Sequence, residues 1–262
     1  RSFAAAALSM GVTAAAVNDV VDMSNSTHGY VTVNYSSSAR LKVGIQYNGG
    51  KTVFYDCPSG KDASFSLDKG NGKYTVTLYR NVSGTSYQQV ESKSMNVTVK
   101  DSYAPYLVST SEVQFSKGDT VSAKLLSLQE RQADEAKVIA IYNYMASRYT
   151  YDNKLANEIT SGKITKYIPN TAATLKVPPV SATIFSLFAA MCRSQGIPCA
   201  LTKGYAGSSY HAWNKVNLNG KWYQIDLTYA VTRSVKNAKT LHDCVSPLTY
   251  TNTSDALAVA AA

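Results

Sequence analysis

An α+β fold is what this 262-residue sequence predicts: a small antiparallel β-sandwich followed by a domain of helices and a β-hairpin. Three observations carry it. Up to residue 100, short runs that mostly alternate apolar with polar residues recur at roughly ten-residue spacing, as in all-β domains. Asp101-Ser102-Tyr103-Ala104-Pro105 then breaks the pattern. Beyond that break the apolar period changes from two to about 3.6, the helical value.

The strand runs fall at 30–35, 40–47, 52–55, 64–67, 74–79 and 95–99. Asn48-Gly49 and Asn71-Gly72 lie between such runs, and these dipeptides accept the positive φ of tight hairpin turns. The expected sandwich, of immunoglobulin-like size, covers residues 24–103. Residues 1–23 are expected to form an Ala-rich segment, either a first helix or the remnant of a secretory signal, and residues 104–262 the second domain.

In that second domain Val138, Ile141, Tyr142 and Met145 share one helical face, with Asp134 and Glu135 in the first turn where the helix dipole favours them. The helix ends at Tyr149-Thr150-Tyr151-Asp152. A second helix is punctuated clearly: Pro178-Pro179 precede it, Ser181 caps or begins it, Ile184, Leu187, Phe188, Met191 and Cys192 share a face, and Gly196 and Pro198 close it. Two strands follow, from Tyr210 to Leu218 and from Lys221 to Thr228, joined by the type I′ turn signature Asn219-Gly220. His211 opens the first and Asp226 ends the second, so antiparallel pairing can bring the carboxylate beside the imidazole. Such a pair fixes the histidine tautomer and leaves the second ring nitrogen to serve a nucleophile.

Composition excludes several classes. The formal charge of +9 is spread over both halves without a Lys/Arg run, which points away from nucleic acid and toward anionic surfaces such as cell-wall polymers. Four cysteines without a CxxC pair, three histidines and scattered acidic residues give no metal-site spacing, so no metal or other cofactor is expected. No apolar run reaches the roughly 18 residues that span a bilayer. Export to the cell envelope is expected from the N-terminal segment and from a chain rich in Ser, Thr, Asn and Tyr.

The blocks Gly196-Ile197-Pro198, Gly204-Tyr205, His211-Ala212-Trp213-Asn214 and Trp222-Tyr223-Gln224-Ile225-Asp226-x-Thr228 strongly resemble the transglutaminase-like superfamily, over about residues 133–230. The resemblance, to the bacterial secreted type, implies a papain-like core and amide acyl chemistry through a Cys-His-Asp triad. His211 and Asp226 take the positions of the triad histidine and aspartate. The departure is at the nucleophile, where the family has cysteine and this chain has Ser181. Pro179 also stands where the family has glycine, and Ala182-Thr183-Ile184 is not the usual continuation, so the divergence favours a natural loss over a single engineered exchange.

A cysteine at 181 would be held as thiolate by the helix N-terminus and by His211 as imidazolium, starting from a reference pKa of about 8.5. A serine hydroxyl cannot form that ion pair, and its attack is expected to be slower by several orders of magnitude. The chain is therefore expected to be an inactive or strongly weakened member kept as a binding or scaffold module for peptide, protein-amide or cell-wall ligands. The alternatives are a Ser181-His211-Asp226 amide hydrolase and an adhesion module. Tyr151, Tyr210, Trp213 and Trp222 are candidates for lining a substrate groove, with core packing the plainer role for the two tryptophans. Cys192 is expected to be a core residue, and His242-Asp243-Cys244 is not expected to form a site.

Overall fold

The computed structural model describes residues 19–116, 133–149, 184–232, 237–255 and 257–260, together with Lys154, Asn157, Glu158, Ser161, Lys163 and Ile164. Ser181, Tyr151 and the first 18 residues lie outside the described residues.

The N-terminal half is built from β1 (Val21–Asp22), β2 (Tyr30–Val33), β3 (Leu41–Tyr47), β4 (Val53–Cys57), β5 (Ala63–Ser66), β6 (Gly72–Ser83) and β7 (Ser86–Val97). They form two antiparallel sheets, ordered β1-β2-β5 and β4-β3-β6-β7. Alternation explains the packing: Val31, Val33 and Phe65 from the first sheet and Leu41, Val43, Val76 and Leu78 from the second are buried in one shared core. Each fully buried side chain of this size contributes about 1.5–3 kcal/mol.

Two strands differ from the sequence expectation. β1 lies within the segment expected to precede the sandwich, with Val21 paired to Val33 and fully buried. β7 runs over twelve residues where the sequence predicts a strand only at 95–99, because its pairing rests on polar groups and not on apolar alternation. It is an edge strand in which Val97 alone is buried, and Thr75–Ser94 and Thr77–Ser92 hydroxyl pairs, both 2.7 Å, join it to β6.

The second half holds α1 (Asp134–Arg148), α2 (Ile184–Ser194), β8 (Cys199–Ala206), β9 (Ser209–Leu218), β10 (Lys221–Ile225), α3 (Leu227–Thr232), α4 (Leu241–Cys244) and β11 (Tyr250–Thr251). The strands form one antiparallel sheet in the order β10-β9-β8-β11. On α1 the expected face of Val138, Ile141, Tyr142 and Met145 is buried, and it meets Leu187, Phe188 and Met191 of α2 in a single core. α2 ends in a Schellman motif: Gly196 takes φ 75° and donates to the Arg193 carbonyl at 3.0 Å, and the Ile197 N–H reaches the Cys192 carbonyl at 3.0 Å. That stop turns the chain directly into β8.

The linking segment is wedged between the two halves. Its short 3₁₀ turn, Ala104–Tyr106, buries Tyr106, whose hydroxyl donates to the Asp68 carbonyl at 2.9 Å. From the other side, buried Arg193 donates through Nη1 to the Val108 carbonyl at 2.7 Å and through Nε to the Cys199 carbonyl at 2.9 Å. Cys57, Cys192, Cys199 and Cys244 are all buried and unbridged. Burial pushes the Cys192 thiol well up, which makes it an inert core residue. Among the described residues no helix is long and apolar enough to cross a membrane.

Candidate active site

The β9–β10 hairpin sets the site. Asn219 and Gly220 have φ of 53° and 82°, as a type I′ turn requires, and the register runs from Lys221↔Leu218 to Ile225↔Asn214. One residue past the last pair, Asp226 comes off the end of β10 and meets His211 near the start of β9. His211 Nε2 lies 2.8 Å from Asp226 Oδ2. The pair expected from the sequence is thus assembled, with the Asp226 side chain 1% exposed and the His211 side chain 20% exposed.

Asp226 is held by more than the histidine. It stands immediately before α3, and its Oδ1 accepts the Tyr229 N–H at 3.1 Å, so the same carboxylate caps that helix. Tyr250, from β11, donates its hydroxyl to Oδ2 at 2.7 Å. Burial acts to raise the Asp226 carboxyl, but the His211 contact and the Tyr250 and Tyr229 hydrogen bonds outweigh it and hold the group below the usual carboxylate value. An ionised Asp226 only accepts, so His211 Nε2 carries the proton and Nδ1 is the nitrogen that can act as base.

The sign of the Asp226 shift fixes a pH dependence. A depressed carboxyl stabilises the fold fully above its unfolded value, about 3.9, and that contribution is lost as pH falls through the folded value. We expect the stability difference between the parent chain and Asp226→Asn, measured by urea unfolding, to shrink as the buffer is taken below about pH 4. A difference independent of pH would show that the carboxylate is not held ionised by these partners.

Three rings lie nearly parallel around the pair. Trp213 and Tyr250 stack at 4.1 Å between centroids, and His211 lies 6.2 Å from each. Trp213 is 1% exposed, so its role is to wall the pair from solvent beneath the site. Gly204 makes this closure feasible, since a Cβ there would come within 2.9 Å of the Trp213 ring and 2.7 Å of the Thr251 carbonyl. On the other face of β9, Asn214 donates to the Phe185 carbonyl at 3.0 Å, which places the first turn of α2 against the strand three residues from His211.

The remaining expectations divide. Tyr210 is 67% exposed beside His211 and forms an edge-on pair with Tyr205 at 5.6 Å, a position open to a ligand. Trp222 is not with them: it pairs with Asn217 near the turn and packs on Tyr106 at 4.9 Å and Tyr103 at 6.3 Å. The correction follows from strand length, because the far end of the hairpin from His211 abuts the linking segment. Asp243 is the third residue of α4 in a capping box with Thr240, and burial pushes the Cys244 thiol up to about 12, so the His242-Asp243-Cys244 run is a helix turn and not a site. Among the described residues no three His, Cys, Asp or Glu side chains come together to hold a metal.

Residues 122–227 match the model of the transglutaminase-like superfamily. The chain carries a transglutaminase-like domain. That match encloses His211, Asp226 and position 181. The chain is similar to mouse kyphoscoliosis peptidase, 30% identical over 115 residues, or 39% of this chain and 17% of that protein. A solved structure described as a TGase aligns over 58% of this chain and 43% of its own, at 22% identity and a TM-score of 0.34. The chain therefore spans less than a fifth of that peptidase and less than half of the solved chain.

Sequence reasoning missed Tyr250 and Ser246. Ser246 Oγ lies 2.7 Å from the Tyr250 hydroxyl. Neither belongs to a recognisable motif, and β11 is only two residues long, too short for an alternation pattern.

Proposed function

We propose that this transglutaminase-like domain keeps the base and orienter of the family triad, His211 and Asp226, and presents Ser181 where the nucleophile belongs. Amide acyl transfer or hydrolysis is then absent or strongly weakened, and the chain acts as a binding or scaffold module for peptide or cell-wall ligands. The observation that carries this reading is the 2.8 Å His211–Asp226 bond, with its carboxylate satisfied by two further donors. The name of the mouse relative, a peptidase, supports a peptide amide as the class of ligand.

A second reading, a Ser181-His211-Asp226 amide hydrolase, is favoured by the same intact pair, since Nδ1 can deprotonate a hydroxyl as well as a thiol. The strand order β1-β2-β5 facing β4-β3-β6-β7 supports an immunoglobulin-like sandwich. Together with the charge of +9 it supports a location at a bacterial cell envelope, where anionic polymers are abundant.

Thiol chemistry tests the triad geometry directly, because the four native cysteines are buried. In Ser181→Cys the new thiol is expected to react with iodoacetamide at neutral pH at least tenfold faster than in Ser181→Cys/His211→Ala, as an ion-paired thiolate does. Equal rates in the two proteins would separate position 181 from His211 and defeat the reading.

A further inference from the structure

We propose that Tyr250 is a positioning residue of the catalytic pair: its hydroxyl fixes the Asp226 carboxylate toward His211, and its ring, stacked on Trp213, closes that bond off from water. The inference rests on the reading of His211 and Asp226 as base and orienter. It adds a residue outside the family match, which ends at residue 227.

Ionised Asp226 has no hydrogen to give, so the single Tyr250 hydroxyl proton points at Oδ2 over 2.7 Å. Desolvation and the charge of Asp226 raise the Tyr250 phenol far above its ordinary value, so the hydroxyl stays protonated. With its proton committed, the Tyr250 oxygen must accept from Ser246 Oγ at 2.7 Å. Ser246 Oγ in turn accepts from the Leu248 N–H at 3.3 Å. The result is a chain of donors, Ser246 to Tyr250 to Asp226, in which each bond polarises the next.

Both Tyr250 and His211 address the same oxygen, Oδ2, while Oδ1 is tied to α3. Two anchors therefore fix the plane of the carboxylate, and His211 takes its orientation from that plane. The segment that brings Tyr250 is itself built into the sheet. Tyr250 pairs with Ala206 of β8, Val245 bridges Ile225, the Ser246 N–H reaches the Gln224 carbonyl at 2.9 Å, and the Ser254 N–H reaches the Lys203 carbonyl at 2.8 Å. Tyr142 of α1 and Tyr229 of α3 are further ionisable groups close enough to act electrostatically on this cluster.

The test uses the full chain with ¹³Cγ-labelled aspartate, read by NMR as a function of pH, in the parent, Tyr250→Phe, Ser246→Ala and Tyr205→Phe. Phenylalanine keeps the stacked ring and removes only the hydroxyl, so folding is preserved. The Asp226 midpoint is expected to move upward in Tyr250→Phe, less so in Ser246→Ala, and to stay in Tyr205→Phe. In the Ser181→Cys background, Tyr250→Phe is expected to lower kcat roughly tenfold at unchanged KM, the worth of one hydrogen bond to a charged group. An Asp226 midpoint that does not move in Tyr250→Phe overturns the proposal. Upward movement together with an inactive Ser181→Cys protein would uphold the positioning role and count against the functional reading alone.

Discussion

In the Ser181→Cys background, Asp226→Asn is expected to lower the rate of amide turnover on the order of 10³ to 10⁴-fold, the scale seen when a triad aspartate becomes an amide. The size follows from which hydrogen bonds the amide can keep. The substituted side chain would retain the cap of α3 only by leaving its oxygen on the Tyr229 N–H, where Oδ1 now sits. Its NH₂ then occupies the Oδ2 position, faces His211 Nε2, and must donate there. Nε2 becomes the acceptor, the proton moves to Nδ1, and the ring can no longer serve as a base on that side. The same NH₂ also meets the Tyr250 hydroxyl donor-to-donor. Turnover kinetics with KM and kcat resolved would check this, and a loss below tenfold would mean that the pair is a structural hydrogen bond without a tautomeric role.

Lys215→Met is expected to destabilise the chain by about 3–5 kcal/mol, the usual cost of leaving a buried charge without its partner. Lys215 Nζ lies 2.6 Å from Asp255 Oδ1 and 3.0 Å from the Leu257 carbonyl, and the two charged side chains are 3% and 2% exposed. Thr202 Oγ1 donates to the other Asp255 oxygen at 2.5 Å and the Leu257 N–H to Oδ1 at 3.1 Å, so the aspartate is fixed in place when the lysine is removed. The pair fastens the C-terminal segment to the face of β9 that also carries His211 and Trp213. Chemical denaturation would measure the loss. The double variant Lys215→Met/Asp255→Leu should recover much of it, because removing both charges also removes their desolvation cost. A double variant no more stable than Lys215→Met would show that the ion pair is not the source of the effect.

How far the sequence discloses this arrangement depends on where the determinants sit. The hairpin is legible because Asn219-Gly220 encodes its turn locally, and the turn sets the register that delivers Asp226 to His211. α2 is legible from its stop signals, which fold as written at Gly196 and Ile197. β7 is not, since its partner strand supplies hydroxyl and main-chain bonds that leave no apolar period. Motif adjacency puts Trp222 near the site, yet strand length carries it to the linking segment. Tyr250 is one of 19 tyrosines and gains its meaning only when β11 pairs with β8, 44 residues away in sequence at Tyr250↔Ala206. Long-range pairing of short strands leaves no local trace, so the support of the His211–Asp226 pair is hidden while the pair itself is not.

On the proposed reading the base and orienter are intact and the residue at 181 limits the chemistry. Side-by-side assays of amide hydrolysis and labelled-amine incorporation, for the Ser181 and Ser181→Cys proteins with and without His211→Ala, test it most directly. The Ser181→Cys protein is expected to act, to need His211, and to exceed the Ser181 protein by several orders of magnitude. Comparable His211-dependent turnover by the Ser181 protein, or no turnover by Ser181→Cys, would contradict it.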